Sequence, residues 1–550
     1  MSETKPTVLG LALVSMFFAI LMPPEAYPVG KMVVVLSSTF ALFALLEDRK
    51  VPQAYLLGGI GVFILLLAHS LWLSVDAYRS IEFLTVLWAY YCLLGFFLYA
   101  GRDSITYVAA SVVALSLIVS GYGIFQFFWG FDQTSAQLLD SPASQSLKDP
   151  ALALLSTGRV FSTLALPGTL WGFLLTALPV HFVLWNRSRT LNLVLGLSSV
   201  LLLFTGFLTR SFGFLVGLLV LAIAWLLVHG QQGAWKKVAA IMTICAITGG
   251  VFYFARATAF ADANPVELRF KNWVSAWNVF VVTPAGTGLN TFGVVYPQYH
   301  LPGANETQYA HNTLLQLMAE LGYSALLAAV VVVLLLVGRV QRESLQSFQL
   351  PPGPRSYILL AVIAWTFHHA IDINFYFPSV GTFGAILVGL LLARPGTIVA
   401  RTSRALSAMI SLIALASVVF SGAVAVSGEL EHRAQIEIEN GNSDVALETL
   451  QLAQKVTPWN SVLFERAGNI LLESYVRTKD QNLIESAENS FRRATELSPQ
   501  KSDAHLGLAL CLSASNKLDA ALAEIRLASR LYPDSEYVRS VAKLMEQRVR

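Results

Sequence analysis

Residues 406–440 read LSAMISLIALASVVFSGAVAVSGELEHRAQIEIEN, and the composition of this stretch changes abruptly at Glu429. Residues 406–427 contain no charged side chain and are long enough to cross the hydrocarbon core of a bilayer. From Glu429 onward, charged residues and alanine alternate with larger apolar residues, a pattern typical of a helix exposed to water. The stretch therefore predicts a membrane region over residues 1–428 and a soluble helical domain over residues 429–550.

The composition of the whole chain agrees with a predominantly membrane-embedded protein. Of its 550 residues, 55% are hydrophobic and only 13% are charged, which is too little charge to cover the surface of a soluble protein of this size. The net charge of +3 indicates no bulk attraction to nucleic acid. The three cysteines lie far apart in apolar or helical stretches, so no disulfide framework or zinc site is predicted.

About twelve to thirteen apolar runs before residue 428 are long enough to span a membrane. The first lacks a basic leader and a small-residue cleavage site, so we expect a membrane span there and not a cleaved signal peptide. The predicted spans are 6–22, 31–47, 54–74, 83–100, 105–129, 161–185, 190–208, 212–228, 236–255, 313–338, 356–371, 378–394 and 406–427.

The loop charges predict the orientation of these spans. Lysine and arginine concentrate in every second loop, which places the N-terminus in the cytoplasm because cytoplasmic loops carry the excess of these residues. The long loops at about 130–160 and 256–312, and everything after residue 428, should then face outward. The basic residues of the predicted cytoplasmic loops are Arg49, Lys50, Arg102, Arg187, Arg189, Lys236, Lys237, Arg339, Arg342, Arg355, Arg394, Arg401 and Arg404.

A pattern of small and large residues repeats three times after residue 440. Its members are spaced by four, three and five residues each time, and the closing prolines are 41 and then 34 residues apart, which indicates an insertion near 476–483. This spacing resembles the second helix of the tetratricopeptide repeat, so the tail is predicted to be a tetratricopeptide-like α-solenoid. The three sets are Ala446, Leu450, Ala453 and Pro458; Ala487, Phe491, Ala494 and Pro499; and Ala521, Ile525, Ala528 and Pro533.

The most polar part of the membrane region runs from Glu267 to Gly322. Arg269, Trp273 and Trp277 have helical spacing and should share one face of a helix on the outer surface. A guanidinium group in that position suits a phosphate or a carboxylate. An interfacial arginine that reaches the lipid headgroups beside a tryptophan belt is an equally good reading of the pattern.

His311 opens the tenth predicted span at its outer end. Asn312, Gln316 and Glu320 follow at intervals of four residues and form a polar stripe that should point into the helix bundle. Polar groups at membrane depth are costly, so such a stripe is a candidate functional feature. A lone interfacial histidine is more often structural, but the neighbouring stripe and arginine loop favour function here.

Three further sites qualify on the same outer face: Arg159, Arg210, and the stretch that contains His368, His369 and Asp372. For the last stretch, a buried histidine–aspartate hydrogen bond that holds a helix end is the favoured alternative to catalysis. Several arginines without a metal-site motif suit a diphosphate, since fixed cations can offset the charge of a leaving group. A neutral histidine nearby could take a proton from an attacking hydroxyl near pH 7.

These residues resemble the O-antigen ligase/polymerase (Wzy-type) family of integral membrane glycosyltransferases. The resemblance covers about residues 80–395, and its most specific part is the block around His311. It includes Arg159 in its R-x-F-S-T context and the histidine–aspartate stretch before residue 378. The other matching motifs are Arg269 and Trp273; Pro284, Gly286, Gly288 and Phe292; Tyr296, Pro297 and Tyr299; and His311, Asn312, Leu315 and Gly322.

The resemblance implies an all-α, GT-C-like bundle that uses a glycan on undecaprenyl diphosphate at the periplasmic face of the bacterial inner membrane, without a metal or other cofactor. It implies that His311 handles the acceptor or its proton and that Arg269 binds the diphosphate, with His369 and Asp372 in support. A second arginine of the family follows a serine, whereas here Arg210 precedes Ser211, so Arg159 is an alternative.

The pattern leaves ligase and polymerase open, in lipopolysaccharide or exopolysaccharide biosynthesis. The expected partners are the lipid-linked donor, a glycan or lipid acceptor, membrane lipids and a protein bound by the repeats, which slightly favours a polymerase; no nucleic acid is expected. A transporter of an anion or a lipid-linked glycan should show inverted repeats and polar residues near the bilayer midplane, and neither is evident. A non-catalytic scaffold would leave the outer arginines and His311 without a purpose.

Overall fold

The computed structural model describes residues 6–23, 27–47, 51–100, 104–140, 145–164, 166–211, 213–230, 265–328, 352–393 and 403–549, and the single residues 236, 239 and 330. Within these ranges every regular element is a helix, and no strand occurs. The predicted all-α fold class is therefore confirmed.

The membrane region is a bundle of long apolar helices. Seven of the described helices are long and apolar enough to cross a bilayer, and three shorter ones are also apolar. The predicted polytopic character is confirmed, whereas span 236–255, apart from residues 236 and 239, and the end of span 313–338, apart from residue 330, lie outside the described residues. The helices are α1 (Pro6–Leu21), α2 (Pro28–Glu47), α3 (Gln53–Trp72), α4 (Ala77–Tyr99), α5 (Ser104–Phe125), α6 (Phe131–Asp140), α7 (Gln145–Ser156), α8 (Pro167–His181), α9 (Arg189–Leu208), α10 (Gly213–Val228), α11 (Pro265–Val282), α12 (Phe292–Tyr299), α13 (Thr313–Leu321), α14 (Pro354–His368), α15 (Pro378–Leu391) and α16 (Arg404–Glu439).

The helix of the predicted span 313–338 begins at Thr313 as expected but is interrupted, because α13 ends at Leu321. Gly322 has a φ of 61°, and a Cβ atom at this position would overlap the carbonyl oxygen of Pro284. The Pro284 carbonyl accepts a hydrogen bond from the Tyr323 amide at 3.1 Å, directly after this break. Close approach of a distant turn therefore interrupts the helix where sequence hydrophobicity alone predicts continuity.

The span predicted at 161–185 also begins later than expected. Helix α8 starts at Pro167, and the residues before it form a loop in which Ser162 has a φ of 55°. The Gln126 side chain accepts hydrogen bonds from the amides of Phe161 and Ser162 at 3.1 and 2.9 Å. Side-chain acceptors therefore satisfy loop amides that a helix would otherwise pair.

The connecting segments meet at one end of the bundle. Backbone hydrogen bonds join Val75 to Thr287 at 2.9 Å, Val160 to Leu208 at 3.2 Å and Thr313 to His369 at 2.9 Å. Each of these bonds ties together two loops that are far apart in the sequence. The described loop residues that these bonds join therefore lie near one another at one end of the bundle.

The tail is a stack of antiparallel helices formed by the end of α16 and six more. The large and small residues of the repeated pattern are buried, including Leu450, Phe491 and Ile525 with no exposed surface. Helix α18 continues to Thr478 before Lys479 ends it in a left-handed conformation with a φ of 63°, which accounts for the wider repeat spacing. The six helices are α17 (Ser443–Val456), α18 (Ser461–Thr478), α19 (Gln481–Leu497), α20 (Ser502–Ala514), α21 (Leu518–Leu531) and α22 (Glu536–Val549).

Membrane bundle and tail are joined without a flexible linker. Helix α16 runs unbroken from Arg404 to Glu439 across the domain boundary predicted at residue 428. The Ser427 hydroxyl also bonds to that of Thr457 at 2.7 Å, both residues being buried. The boundary itself stays a prediction, but the connection across it is a rigid helix.

The Phe491 side chain makes the repeat core sensitive to substitution. Its ring packs between Gly468 and Gly507, in one apolar cluster with Cys511. Phe491→Ala should lower the free energy of unfolding of the repeat domain by about 3–5 kcal/mol, because it removes a buried ring and leaves a cavity. We expect faster alkylation of Cys511, measured by mass spectrometry on the full chain, with Cys92 in the membrane region unaffected. Equal Cys511 protection in both proteins would contradict this packing.

Candidate active site at the outer end of the bundle

A buried carboxylate, that of Asp372, joins three segments in the loop between α14 and α15. Its Oδ1 atom lies 3.4 Å from Nδ1 of His311, and its Oδ2 atom lies 3.7 Å from Nη2 of Arg269. The Ile373 amide donates to Oδ1 at 3.0 Å, and the Thr313 hydroxyl donates to the Asp372 carbonyl at 3.2 Å. Asp372 thus contacts both His311 and Arg269, the two residues that the sequence most strongly favours as site residues.

The charge state of Asp372 follows from these contacts. Burial by itself would raise the pKa of this carboxyl, but the hydrogen bond from His311 and the charge of Arg269 outweigh it and hold the pKa below its usual range. A carboxylate only accepts hydrogen bonds, so Nδ1 of His311 carries the proton. In the neutral imidazole, Nε2 is then the nitrogen that can accept one.

The backbone around His311 is held in a conformation that non-glycine residues rarely adopt. Its φ is 54°, and the Trp273 indole donates to its carbonyl at 3.1 Å. Asn312 caps α13 by accepting from the Leu315 amide at 3.0 Å, and its amide group donates to the Ala370 carbonyl at 2.9 Å. These contacts fix the position of the imidazole, since each restrains a residue next to it.

Arg269 and Trp273 lie one turn apart on α11, and Trp277 follows with an exposed side chain. The Arg269 side chain is 22% exposed and reaches Asp372. In the structure the Arg269 guanidinium contacts Asp372, whereas in the alternative that the sequence leaves open it reaches a lipid headgroup. Helix α11 therefore supplies both the cation and the indole that restrains His311.

Glu320, which belongs to the polar stripe, hydrogen bonds to the backbone of the glycine turn, the turn that contains Gly286 and Gly288. Glu320 is fully buried and accepts from the amides of Asn290 and Phe292 at 2.7 and 3.2 Å and from the Tyr376 hydroxyl at 2.6 Å. Gln316 donates to Glu320 and accepts from the Ala310 amide at 3.0 Å. The stripe points inward as predicted, and its contacts hold the loop that leads to His311.

The two histidines before Asp372 make other contacts. Nδ1 of His369 lies 3.2 Å from the Thr313 hydroxyl, and Nδ1 of His368 accepts from the Asn374 amide group at 2.7 Å. From the sequence, a local hydrogen bond between one of these histidines and Asp372 is the favoured alternative. In the structure, Asp372 instead bonds to His311, which is far away in the chain. His369 instead supports the start of α13.

Arg159 and Arg210 lie close together, and each bonds to the backbone near the other. Nε of Arg159 donates to the Thr209 carbonyl, and Nη1 of Arg210 donates to the Thr157 carbonyl, both at 3.1 Å. Each arginine thus reaches the loop that carries the other.

The segment 368–372, which carries Asp372, packs against the start of α10, three residues after Arg210. A Cβ atom at Gly213, at the start of α10, would lie 3.2 Å from Cδ1 of Ile371 and 3.3 Å from Nε2 of His368. A Cβ atom at Gly168 would overlap the Asp372 carboxylate itself. Two glycines therefore allow this segment to pack closely against α8 and α10.

His311 also lines a cavity of about 740 Å³. Arg79 and Tyr309 from the membrane region, and Lys501 from the tail, line the same cavity. Sequence reasoning missed these residues. Arg79 could have been found, because it is an ionisable residue at the outer mouth of a predicted span, whereas nothing in the sequence connects Lys501 to His311.

Comparison with known families gives two matches. Residues 173–330 match the family model described as O-Antigen ligase, and residues 480–544 match a model described as Tetratricopeptide repeat. The membrane region is similar to O-antigen ligases. The predicted resemblance is thereby confirmed, and with the apolar helices it supports a multi-pass membrane protein of O-antigen ligase type that carries tetratricopeptide repeats. The first match contains Arg210, Arg269 and His311 but not Asp372. No curated protein matches the chain.

The Asp372 carboxylate should contribute pH-dependent stability. Because its pKa is lower in the folded protein, the contribution is complete above the usual value of about 3.9 and is lost as the pH falls further. At pH 7, Asp372→Asn should cost about 1–3 kcal/mol, as for a lost hydrogen bond to a charged group. Melting temperatures of detergent-purified proteins should differ at pH 7, and the difference should shrink progressively as the pH falls below about 4 toward the lowered pKa of the folded protein. Identical melting temperatures at pH 7 would contradict the assigned contacts.

Proposed function

We propose that this protein is a membrane glycosyltransferase that moves a glycan from undecaprenyl diphosphate onto a hydroxyl of a glycan or lipid acceptor. The contact of His311 and Arg269 with one buried carboxylate, beside a cavity, carries the proposal. The match to the O-antigen ligase model, which contains both residues, supports it.

The proposed reaction is a displacement at the anomeric carbon of the donor glycan. The acceptor oxygen forms the new bond to this carbon while the bond to the diphosphate oxygen breaks, and undecaprenyl diphosphate leaves with the electron pair. Nε2 of His311 accepts the hydroxyl proton as a general base. Asp372 keeps Nδ1 protonated and stabilises the imidazolium that forms, as the carboxylate of a catalytic triad does.

In this proposal, arginine side chains offset the charge of the leaving diphosphate without a metal ion. Arg269 is close to His311 and partly exposed, so a diphosphate oxygen can become a further partner of its guanidinium group. Arg159 and Arg210, which lie next to each other just before α10, are the candidates for the second phosphate. Their fixed positive charges favour the transition state because negative charge develops there.

We place the reaction at the periplasmic face of the bacterial inner membrane. The positive-inside pattern supports this orientation, since the candidate residues fall in or beside the predicted loops that alternate with the basic ones. The C-terminal repeats would then also lie in the periplasm. The same chemistry serves a ligase and a polymerase, and they differ in the acceptor alone.

Removal of His311 tests the proposal directly. Purified full-length protein, undecaprenyl-diphosphate glycan and candidate acceptors should release undecaprenyl diphosphate. His311→Ala should lower the rate by about 10²–10⁴-fold, the usual contribution of a general base. Arg269→Ala should also lower the rate strongly, and Arg269→Lys should restore only part of it, because lysine lacks the two-pronged geometry. The released lipid and the product glycan would be quantified by mass spectrometry.

Matched variants on the exposed surface of the tail provide the controls. His432 and Arg530 are exposed and far from the cluster in sequence, so His432→Ala and Arg530→Ala should retain the wild-type rate. Wild-type turnover by both His311→Ala and Arg269→Ala would refute the mechanism. Stepwise elongation of the product would identify a polymerase, and a single transfer a ligase.

A further inference from the structure

The cavity next to His311 has walls from two parts of the chain. The loop that ends at His311 forms one side, and the opposite side consists of Lys501, Ser502 and Asp503 at the start of α20 and Tyr532 after α21. Its volume of about 740 Å³ is typical of a site for a small molecule or a short oligosaccharide. A ligand that fills the cavity contacts both His311 and the repeat domain.

The repeat domain contacts the membrane region at two places besides helix α16. The Tyr532 hydroxyl donates to Oε1 of Glu306 at 2.5 Å, and the Tyr532 ring packs edge-on against His300 with 5.8 Å between ring centres. Ser461 donates to the buried Asp76 at 3.4 Å. Together with the rigid helix α16, these contacts hold the repeat wall at a set distance from His311.

Aromatic rings line the cavity on both sides. Tyr296 and Tyr309 belong to the membrane region, and Tyr532 belongs to the repeat domain. Tyrosine combines an apolar ring with a polar hydroxyl. Such rings suit a sugar, which presents a face of C–H groups as well as hydroxyl groups.

The charges in the cavity are of mixed sign. Arg79 and Lys501 can donate hydrogen bonds, while Glu306 and Asp503 can accept them. Sugar hydroxyls both donate and accept, so they can use all four groups. A diphosphate would meet repulsion from the two carboxylates, and the arginines elsewhere in the site suit it better. The cavity therefore fits the acceptor glycan better than the charged end of the donor.

A peptide is a less suitable occupant of this cavity. Helical-repeat proteins bind extended partners along the concave surface formed by successive repeats. The cavity instead uses the end of one repeat, through Lys501 to Asp503 and Tyr532. Only a short ligand can contact this edge and His311 at once.

We propose that the repeat domain forms the outer wall of the acceptor site. In this site Lys501, Asp503 and Tyr532 bind the sugar residues of a glycan acceptor whose terminal hydroxyl faces Nε2 of His311. The inference rests on the proposed transferase function. It gives the repeats a direct part in choosing the acceptor.

The test measures acceptor kinetics on the full-length protein. The probe is a short oligosaccharide prepared from the source organism's own surface polysaccharide, with the undecaprenyl-diphosphate glycan as donor. Asp503→Asn and Tyr532→Ala should each raise the KM for this oligosaccharide about tenfold, the effect of one lost interaction of ordinary strength. The KM for the donor should remain that of the wild type.

Two substitutions in the same domain serve as matched controls. Asp519 occupies the first turn of α21 as Asp503 occupies that of α20, and Tyr537 is exposed on α22. Asp519→Asn and Tyr537→Ala should therefore leave the acceptor KM unchanged. Protection of Cys511 from alkylation verifies that each variant keeps its repeat core.

The outcomes separate the inference from the function on which it rests. Direct binding of the fluorescently labelled oligosaccharide, without donor, is measured in parallel. Wild-type transfer with an unchanged acceptor KM in Asp503→Asn and Tyr532→Ala would overturn the inference and leave the function standing. Weaker oligosaccharide binding in these variants, with no transfer by the wild type, would support the wall and refute the function. A raised donor KM, or loss of a bound periplasmic protein at constant oligosaccharide affinity, would also overturn the inference.

Discussion

The carboxylate of Asp372 contacts a guanidinium group and an imidazole that come from separate segments of the chain. A buried charge is costly unless charged or hydrogen-bonding partners surround it, so this carboxylate requires Arg269 and His311 where they are. Because Asp372 contacts both residues, it also positions α11, the start of α13 and the loop after α14 relative to one another. Gly168 leaves the space that the carboxylate occupies.

A second buried carboxylate, that of Glu320, performs a different task at the same end of the bundle. Its partners are two backbone amides of the glycine turn and the Tyr376 hydroxyl, none of them cationic. The turn therefore stays close to α13, and the short loop that ends at His311 is held at both of its ends. One carboxylate thus organises the reacting side chains, and the other organises the backbone that carries them.

The rigid connection between membrane bundle and tail extends this arrangement. Helix α16 continues from the bundle into the first repeat, and Tyr532 and Ser461 bind loops of the bundle. A repeat domain on a flexible linker could recruit a partner but could not shape a cavity beside His311. The fixed attachment makes it part of the site's geometry.

The sequence by itself determined the features that depend on local periodicity and composition. The apolar runs predict the bundle, the spacing of Ala487, Phe491 and Ala494 predicts the repeats, and the spacing of Arg269 and Trp273 predicts their common helix face. Each of these needs only neighbouring residues, because helical periodicity and hydrophobicity act over short stretches. The motif around His311 also points to this histidine as a central residue of the candidate site.

Tertiary structure alone decided which of these residues meet. The pairing of Asp372 with His311, the interruption of a helix at Gly322 and the presence of Lys501 and Tyr532 opposite His311 all involve residues far apart in the chain. No local pattern encodes such contacts, since they arise when helices pack and buried polar groups find partners. The sequence therefore determined the helices and the candidate residues, and packing determined the geometry of the site.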